Sequence, residues 1–559
     1  LSLCSEPGVS WASEKIGGDD FAKSVQKLAA TWNRRGQFNA NTPNNSTRSS
    51  RVGDSSSEPG PETAWKYCAA YFDHCFESIF GVVYRPDFEA HLSAHFRQGD
   101  AVPPVFSGAG VGAPSGEDVA WYALRNTVYA AGCRQLLLKD CSTPYAEAQA
   151  EASRYFSNAL SVHSDLIYGP SGLVAVRALT AMTFYVESAA NEGFEYMMCA
   201  NAVRLAQAKG LHRQPSRSLN LSEIEVMHRN WLFWAIFCLE KLIAFRSGRP
   251  SAIDDDNISC EIPTQAPPGS TIDVQFFRHA VKAGQVVAEM GRRLCSVRAL
   301  RQSPTDIIDA ANDILQTTLA WRDDVGADFQ TPGKSINAAS LRPNVRPLHI
   351  IYLQLLYYSS IQFTYAVFAF PWVGSILGLE KHPCFQEEAP IRAAQVAEAS
   401  RMLILIAKSM DLDAAMPQWA SFYFPMAGLT NLFVYILNSP DLSSSSSSSS
   451  ALLLADVALL DVAAGHFSHM EYLTASQRGS VFTREVAALA RATVERAANR
   501  GQQQQQQQDT THSTSHLTLT LSPLTGTDLR DDGLPQPPFA PVSFISFFFL
   551  LFLRSVANG

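Results

Sequence analysis

The stretch Arg229-Asn-Trp-Leu-Phe-Trp-Ala-Ile-Phe-Cys-Leu-Glu-Lys-Leu-Ile-Ala-Phe-Arg-Ser-Gly-Arg-Pro-Ser-Ala-Ile-Asp-Asp-Asp-Asn257 decides how the chain folds. From Trp231 to Phe245, apolar residues fall on nearly every face of a helix, which predicts burial on several sides. Glu240 and Lys241 interrupt the run. A buried charge must find a partner, and adjacent helical residues point in different directions. Each is therefore expected to reach its own salt bridge or backbone group rather than the other. Upstream, Ser222 is the expected N-cap, and Glu225 completes a capping box. Downstream, Gly248-Arg249-Pro250 ends the helix, because proline disfavours helical geometry in the residue before it. Asp254-Asp-Asp follows in the exit loop. Ile258 breaks the D-D-x-x-D spacing of a diphosphate-metal site, so a solvated turn is expected there.

Working outward, helices are expected over 173–187 and 194–209, the second ending at Gly210, where positive φ is free of steric cost. Before them, Tyr71 to Leu92 reads as helix, turn and helix, with Pro86 in a first helical turn and Asp87 and Glu89 favouring its dipole. His91 and His95 are spaced i, i+4, but with no third ligand in sight a packing role is expected. Residues 118–138 and 145–163 are amphipathic at helical spacing. A glycine-rich run, Gly108-Ala-Gly-Val-Gly, lacks the strand and the Lys-Ser/Thr of a phosphate loop. Beyond the central stretch, helices are expected over 274–294, 305–323, 347–370, 391–410 and 420–437, with one or two more over 451–500. His349, Gln354, Ser359, Ser360 and Gln362 interrupt 347–370, which makes it core rather than a membrane span. The fold class is thus all-α: a large multi-helix domain with a disordered linker before it and a low-complexity tail after it.

The chain of 559 residues is 46% hydrophobic, as an ordinary globular protein is. Its net charge of −8 argues against a strong nucleic-acid footprint of its own, which would need clustered Lys and Arg. The ten cysteines are scattered without a C-x-x-C pair, so zinc-ribbon and thioredoxin readings fail, and reduced thiols are expected. No Ser/His/Asp set, metal motif or phosphate loop stands out, so an enzyme is not expected. The chain opens Leu1-Ser-Leu-Cys with no signal peptide, and reads as a fragment lacking its true N-terminus.

Three separated motifs occur in order. Tyr84-Arg85-Pro86-Asp-Phe88 comes first. Gly210-Leu211-His212-Arg213 closes the second. The third joins Phe233-Trp234, Glu240-Lys241 and Gly248-Arg249-Pro250. Together with Arg125-Asn-Thr-Val-Tyr-Ala-Ala-Gly-Cys133, they resemble the middle homology region of fungal zinc binuclear cluster transcription factors. The resemblance covers about 65–440. It departs in having Glu240-Lys241 where an acidic residue followed by arginine is usual.

The resemblance implies a helical regulatory domain of a nuclear, sequence-specific transcription factor. DNA would be read by a zinc cluster outside these residues, so zinc is expected there and no cofactor within this chain. A small-molecule effector, a coregulator and a second copy of the chain are the further partners it suggests, with no membrane. The alternative is a truncated relative that binds no DNA and serves as a sensor or interaction module. The expected division is a mostly disordered linker over 1–62, in which Phe21 to Trp32 has the pattern of a short amphipathic helix, the regulatory domain over 63–440, a serine linker and C-terminal helices over 441–500, and a low-complexity tail over 501–559. The apolar run Phe544 to Leu553 is half the length of a span and is expected to be of mistranslated origin.

Overall fold

The computed structural model describes residues 3–36, 58–97, 116–139, 143–170, 172–187, 192–326, 336–411, 414–439, 447–477 and 479–514. Among these, no strand occurs. The helices in order are α1 (Glu6–Ile16), α2 (Asp20–Gly36), α3 (Pro61–His74), α4 (Arg85–Arg97), α5 (Gly116–Lys139), α6 (Tyr145–Ser161), α7 (His163–Tyr168), α8 (Leu173–Glu187) and α9 (Glu192–Ala208). They continue with α10 (Glu223–Ser247), α11 (Val274–Met290), α12 (Pro304–Val325), α13 (Pro347–Ala369), α14 (Pro371–Ile376), α15 (Pro383–Ser409), α16 (Phe424–Leu437), α17 (Ser447–Thr474) and α18 (Ser480–Thr514).

Two apolar cores share α8. On one side, α3, α5, α6 and α8 close around Tyr71, Tyr129, Ala152, Leu179 and Met182. Here α3 and α5 approach so closely that a Cβ on Gly132 would fall 2.0 Å from the carbonyl oxygen of Tyr67. On the other side, Val176 and Phe184 of α8 join a larger core built by α10 to α18. Only a helix apolar on opposite faces can serve both, and α8 is buried from Ala175 to Glu187 with Arg177 as the exception.

The expected linker over 1–62 is corrected at its start. Ser5 caps α1 by accepting from the Gly8 N–H at 3.4 Å, and Gly17 ends that helix at φ 77°. Phe21, Val25 and Leu28 of α2, at helical spacing, then turn a buried stripe inward. Phe21 stacks on Phe433 of α16, and Lys27 pairs with Glu485 of α18 at 2.8 Å. Residues 37–57 lie outside the described residues, as do the glycine-rich run at 108–112 and the apolar run at 544–553.

Two further boundaries move. Ser447 to Ser450, assigned to a serine linker, form the first turn of α17. The glutamine run 502–508, assigned to the tail, continues α18, consistent with glutamine being a good helix former. Among the described residues, two helical segments, Trp419–Leu437 and Ala451–Thr474, are long and apolar enough to cross a bilayer. The first is 89% buried inside the protein, so it is accounted for as core.

Candidate functional site

The central stretch folds as helix α10 and its exit loop. Ser222 accepts from the Glu225 N–H, and the Glu225 carboxylate accepts from the Ser222 N–H at 2.8 Å, which completes the capping box. Every residue from Asn230 to Arg246 is buried. Phe233 is fully enclosed, and Trp234 is buried with its indole N–H donating to the Glu261 carbonyl at 3.0 Å. Trp231, also buried, donates to the Phe80 carbonyl at 2.8 Å and stacks on Phe277 with ring centroids 4.1 Å apart. Both indoles thus satisfy their only polar group while filling the core.

Glu240 and Lys241 do point apart, yet they converge on one loop. The Glu240 carboxylate accepts from the Ala252 N–H at 2.6 Å and lies 2.9 Å from Ser251 Oγ. Lys241 Nζ donates to the same Ser251 Oγ and to the Ile253 carbonyl, each at 2.9 Å, and pairs with Asp255 at 2.6 Å. Burial pushes the Glu240 carboxyl up from its ordinary 4.5, and the neighbouring Lys241 charge and these hydrogen bonds work against that push. The solvated-turn expectation for Asp254-Asp-Asp is therefore corrected at Asp255, which holds the lysine. Asp254 instead caps the short turn Asp255–Asn257, accepting from the Asp256 N–H at 3.2 Å.

The remaining signature residues lie around this helix. Gly248 ends α10 at φ 62°, Arg249 stacks its guanidinium 5.1 Å from the Tyr196 ring, and the Pro250 carbonyl accepts from Tyr196 Oη at 2.9 Å. Gly210 ends α9 at φ 68°, Leu211 is fully buried, and the His212 carbonyl accepts from the Ser259 N–H at 2.9 Å. Arg213 donates to the His212 ring at 3.2 Å. Tyr84 donates to the Pro268 carbonyl, Arg85 bridges Asp73 and Glu89 at 2.7 Å each, Pro86 stands in the first turn of α4, and Phe88 is buried. The His91 ring packs on Trp121, and its Nδ1 meets the Asp87 carbonyl at 2.8 Å.

Several functional contacts were not foreseen from the sequence. Arg246, at the end of α10, pairs with the buried carboxylates of Glu187 and Glu195, joining α8 and α9 to α10. Burial pushes Glu187 upward and Arg246 opposes it. Arg177 of α8 donates to the Val82 carbonyl at 2.6 Å and meets His228 at 3.2 Å; burial lowers it to about 10. The only signal for these in the sequence was a charged residue inside an apolar run.

The exit loop also borders a cavity of about 690 Å³. Its far wall is the C-terminal end of α11 and the π-turn Gly291–Cys295, and Phe363 of α13 lies at its base. This volume falls in the usual range for small-ligand sites. Among the described residues no group of three His, Cys, Asp or Glu side chains is placed to hold a metal.

The signature residues are therefore a packed, interlocked frame around α10, from Tyr84 to the loop before α11. A family model described as Fungal specific transcription factor domain matches residues 69–274, which bracket that frame. Residues 69–274 thus carry a fungal-specific transcription factor domain. Among curated relatives, an ABC-transporter-regulating transcription factor of Aspergillus fumigatus is 26% identical over 79% of this chain and 48% of its own length. Its counterpart in Aspergillus oryzae matches to the same extent. The thiamine repressible genes regulatory protein thi1 of Schizosaccharomyces pombe is 24% identical over 40% of this chain and 28% of its own length. The chain thus spans about half the length of the first two relatives. No solved structure matches. By their names, these relatives are fungal transcriptional regulators.

Proposed function

We propose that this chain is the regulatory part of a nuclear, sequence-specific transcription factor, and that zinc-dependent DNA binding resides in a module outside the described helices. The observation that carries this reading is the coincidence of the family match at 69–274 with the interlocked frame around α10. The frame offers no catalytic set, and its charged residues are spent on holding α8, α9, α10 and the exit loop together. Such a body acts by controlling what it is attached to. The chain's acidic balance supports the assignment of DNA contacts to another module, since phosphate binding draws on clustered cations. The names of the two Aspergillus relatives make transcripts of ABC-transporter genes the first targets to measure.

The test is to tether the chain to an unrelated DNA-binding module upstream of a reporter in a fungal host. Output is expected to differ from that of the module alone, in either direction, and to return towards it when Trp234→Ala loosens the frame. Unchanged output from a folded, nuclear fusion overturns the reading. The zinc-dependent part is tested on the natural gene: a protein extended upstream is expected to carry a six-cysteine cluster and to lose DNA binding on chelation. An upstream segment without such cysteines favours the sensor alternative.

A further inference from the structure

The cavity beside the exit loop combines three features. Its base is apolar: Phe245 and Phe363 lie with ring centroids 4.4 Å apart, and Val287 is buried beside them. Its size suits a small molecule rather than a peptide. Its rim is electrically unbalanced. Lys241 is committed to Ser251, Ile253 and Asp255. Arg292 grips both oxygens of Glu289 at 2.7 and 2.8 Å, and Arg249 lies over Tyr196. Lys241 and Arg292 are thus held by Asp255 and Glu289, whereas Asp254 and Asp256 are exposed and make no close ion pair among the described residues, although the Arg292 charge also reaches Asp256. Asp254 accepts only from its own loop, from the Asp256 N–H and from Asn257 Nδ2.

We propose that this cavity binds a small amphipathic cation, with an aromatic or aliphatic body against Phe245, Val287 and Phe363 and an amine at Asp254 and Asp256. The apolar base supplies most of the attraction by burial, and the two carboxylates select the charge. An anion of the same shape would meet the carboxylates of Asp254 and Asp256, with Lys241 and Arg292 already held by Asp255 and Glu289. The cavity is bounded by three separate parts of the fold: the end of α10, the π-turn after α11, and α13. A bound molecule would bridge them and favour one arrangement of the frame, which makes this a site through which a metabolite or toxin could set regulatory output. The site rests on the regulatory reading for that consequence only; binding itself is independent of it.

The experiment is calorimetric titration of the purified chain with three probes of matched shape: naphthylethylamine, naphthylethanol and naphthylacetate. The amine is expected to bind at one site per chain, at least about tenfold more tightly than the other two. The double variant D254N/D256N is expected to remove that preference while leaving naphthylethanol unchanged. Ala288→Trp, on the cavity wall, should abolish binding of all three. Val297→Trp at the exposed rim serves the same purpose if Ala288→Trp does not fold. The proposal is overturned if no probe binds, if the acid or alcohol binds as well as the amine, or if binding survives both tryptophans. Reporter output with and without the amine is measured separately. Failed titration with an active reporter removes this site alone, and successful titration with a silent reporter removes the regulatory reading alone.

Discussion

Helices α10 and α17 invert the usual relation between composition and depth. The segment Ala451–Thr474 of α17 is apolar enough to cross a membrane, yet only 44% of its apolar window is buried, with Leu452 and Leu454 exposed. Helix α10 carries Glu240, Lys241 and Arg246 in its apolar half, yet is buried without a break from Asn230 to Arg246. Depth is set by what surrounds a helix. α10 is enclosed by α8, α9, α11 and its own exit loop, whereas α17 packs on α15, α16, α18 and α6 and still leaves more than half of its apolar window unburied. The charges of α10 are tolerated because each meets a carboxylate, cation, hydroxyl or backbone group at hydrogen-bonding distance. α17 uses the same device sparingly, through Asp456 with Arg401 at 2.7 Å and His466 on the Ser421 carbonyl at 2.6 Å.

The largest effect that would sharpen this contrast is expected from Trp234→Ala, which empties a buried indole and should cost about 3–5 kcal/mol in denaturant unfolding. An unchanged midpoint would break the picture of α10 as the enclosed helix. Next, Lys241→Met leaves Glu240 buried without its neighbouring cation and should cost about 3 kcal/mol. Adding Glu240→Gln should recover part of that loss, and a double variant no more stable than Lys241→Met would show that the two charges do not share the loop.

A pH series probes the same buried charges. Glu77, Glu187 and Glu240 are all pushed above the ordinary 4.5 by burial. In that case the folded state holds protons that the unfolded state has released. Their contribution to stability is present below about 4.5 and is lost as pH rises through the elevated values. Glu77→Gln is expected to flatten this fall in urea midpoints measured across acid to neutral pH; a slope unaltered by the change would remove Glu77 from the account. Smaller still, Ser222→Ala should cost about 1 kcal/mol by removing the cap of α10. Leu454→Ser on the open face of α17 should shift stability by no more than about 0.5 kcal/mol, and a larger loss would mean that this face is covered in solution.

Much of the helical order was legible because local signals and burial agree. The spacing over 173–187 coincides with α8, Gly210 takes the left-handed φ expected of it, α10 ends at Gly248-Arg249-Pro250, and the capping box at Ser222 forms. Misreadings arose where tertiary contacts override local chemistry. α1 is short and depends on docking Trp11 against Trp372 of α14. α15 begins at Pro383 and runs through Pro390, which composition alone marks as a boundary. The five-residue turns Gly291–Cys295 and Trp419–Tyr423 widen the helix locally, and no residue pattern announces that. The frame around α10 was visible as a set of motifs, whereas the partners of its charges were not. Ser251 and Asp255 acquire their roles only when the exit loop folds back on Lys241.

The stacking of Trp231 on Phe277 has a practical consequence for anyone handling this protein in pieces. The family match stops at Val274, where α11 begins, so a fragment cut there would strip Phe277 from one face of α10 and Phe363 from another. Such a fragment would expose greasy tryptophan and phenylalanine faces and is expected to clump during purification. The unit that can be inherited, swapped or expressed intact is therefore set by the reach of α10 rather than by the borders of the recognisable motif.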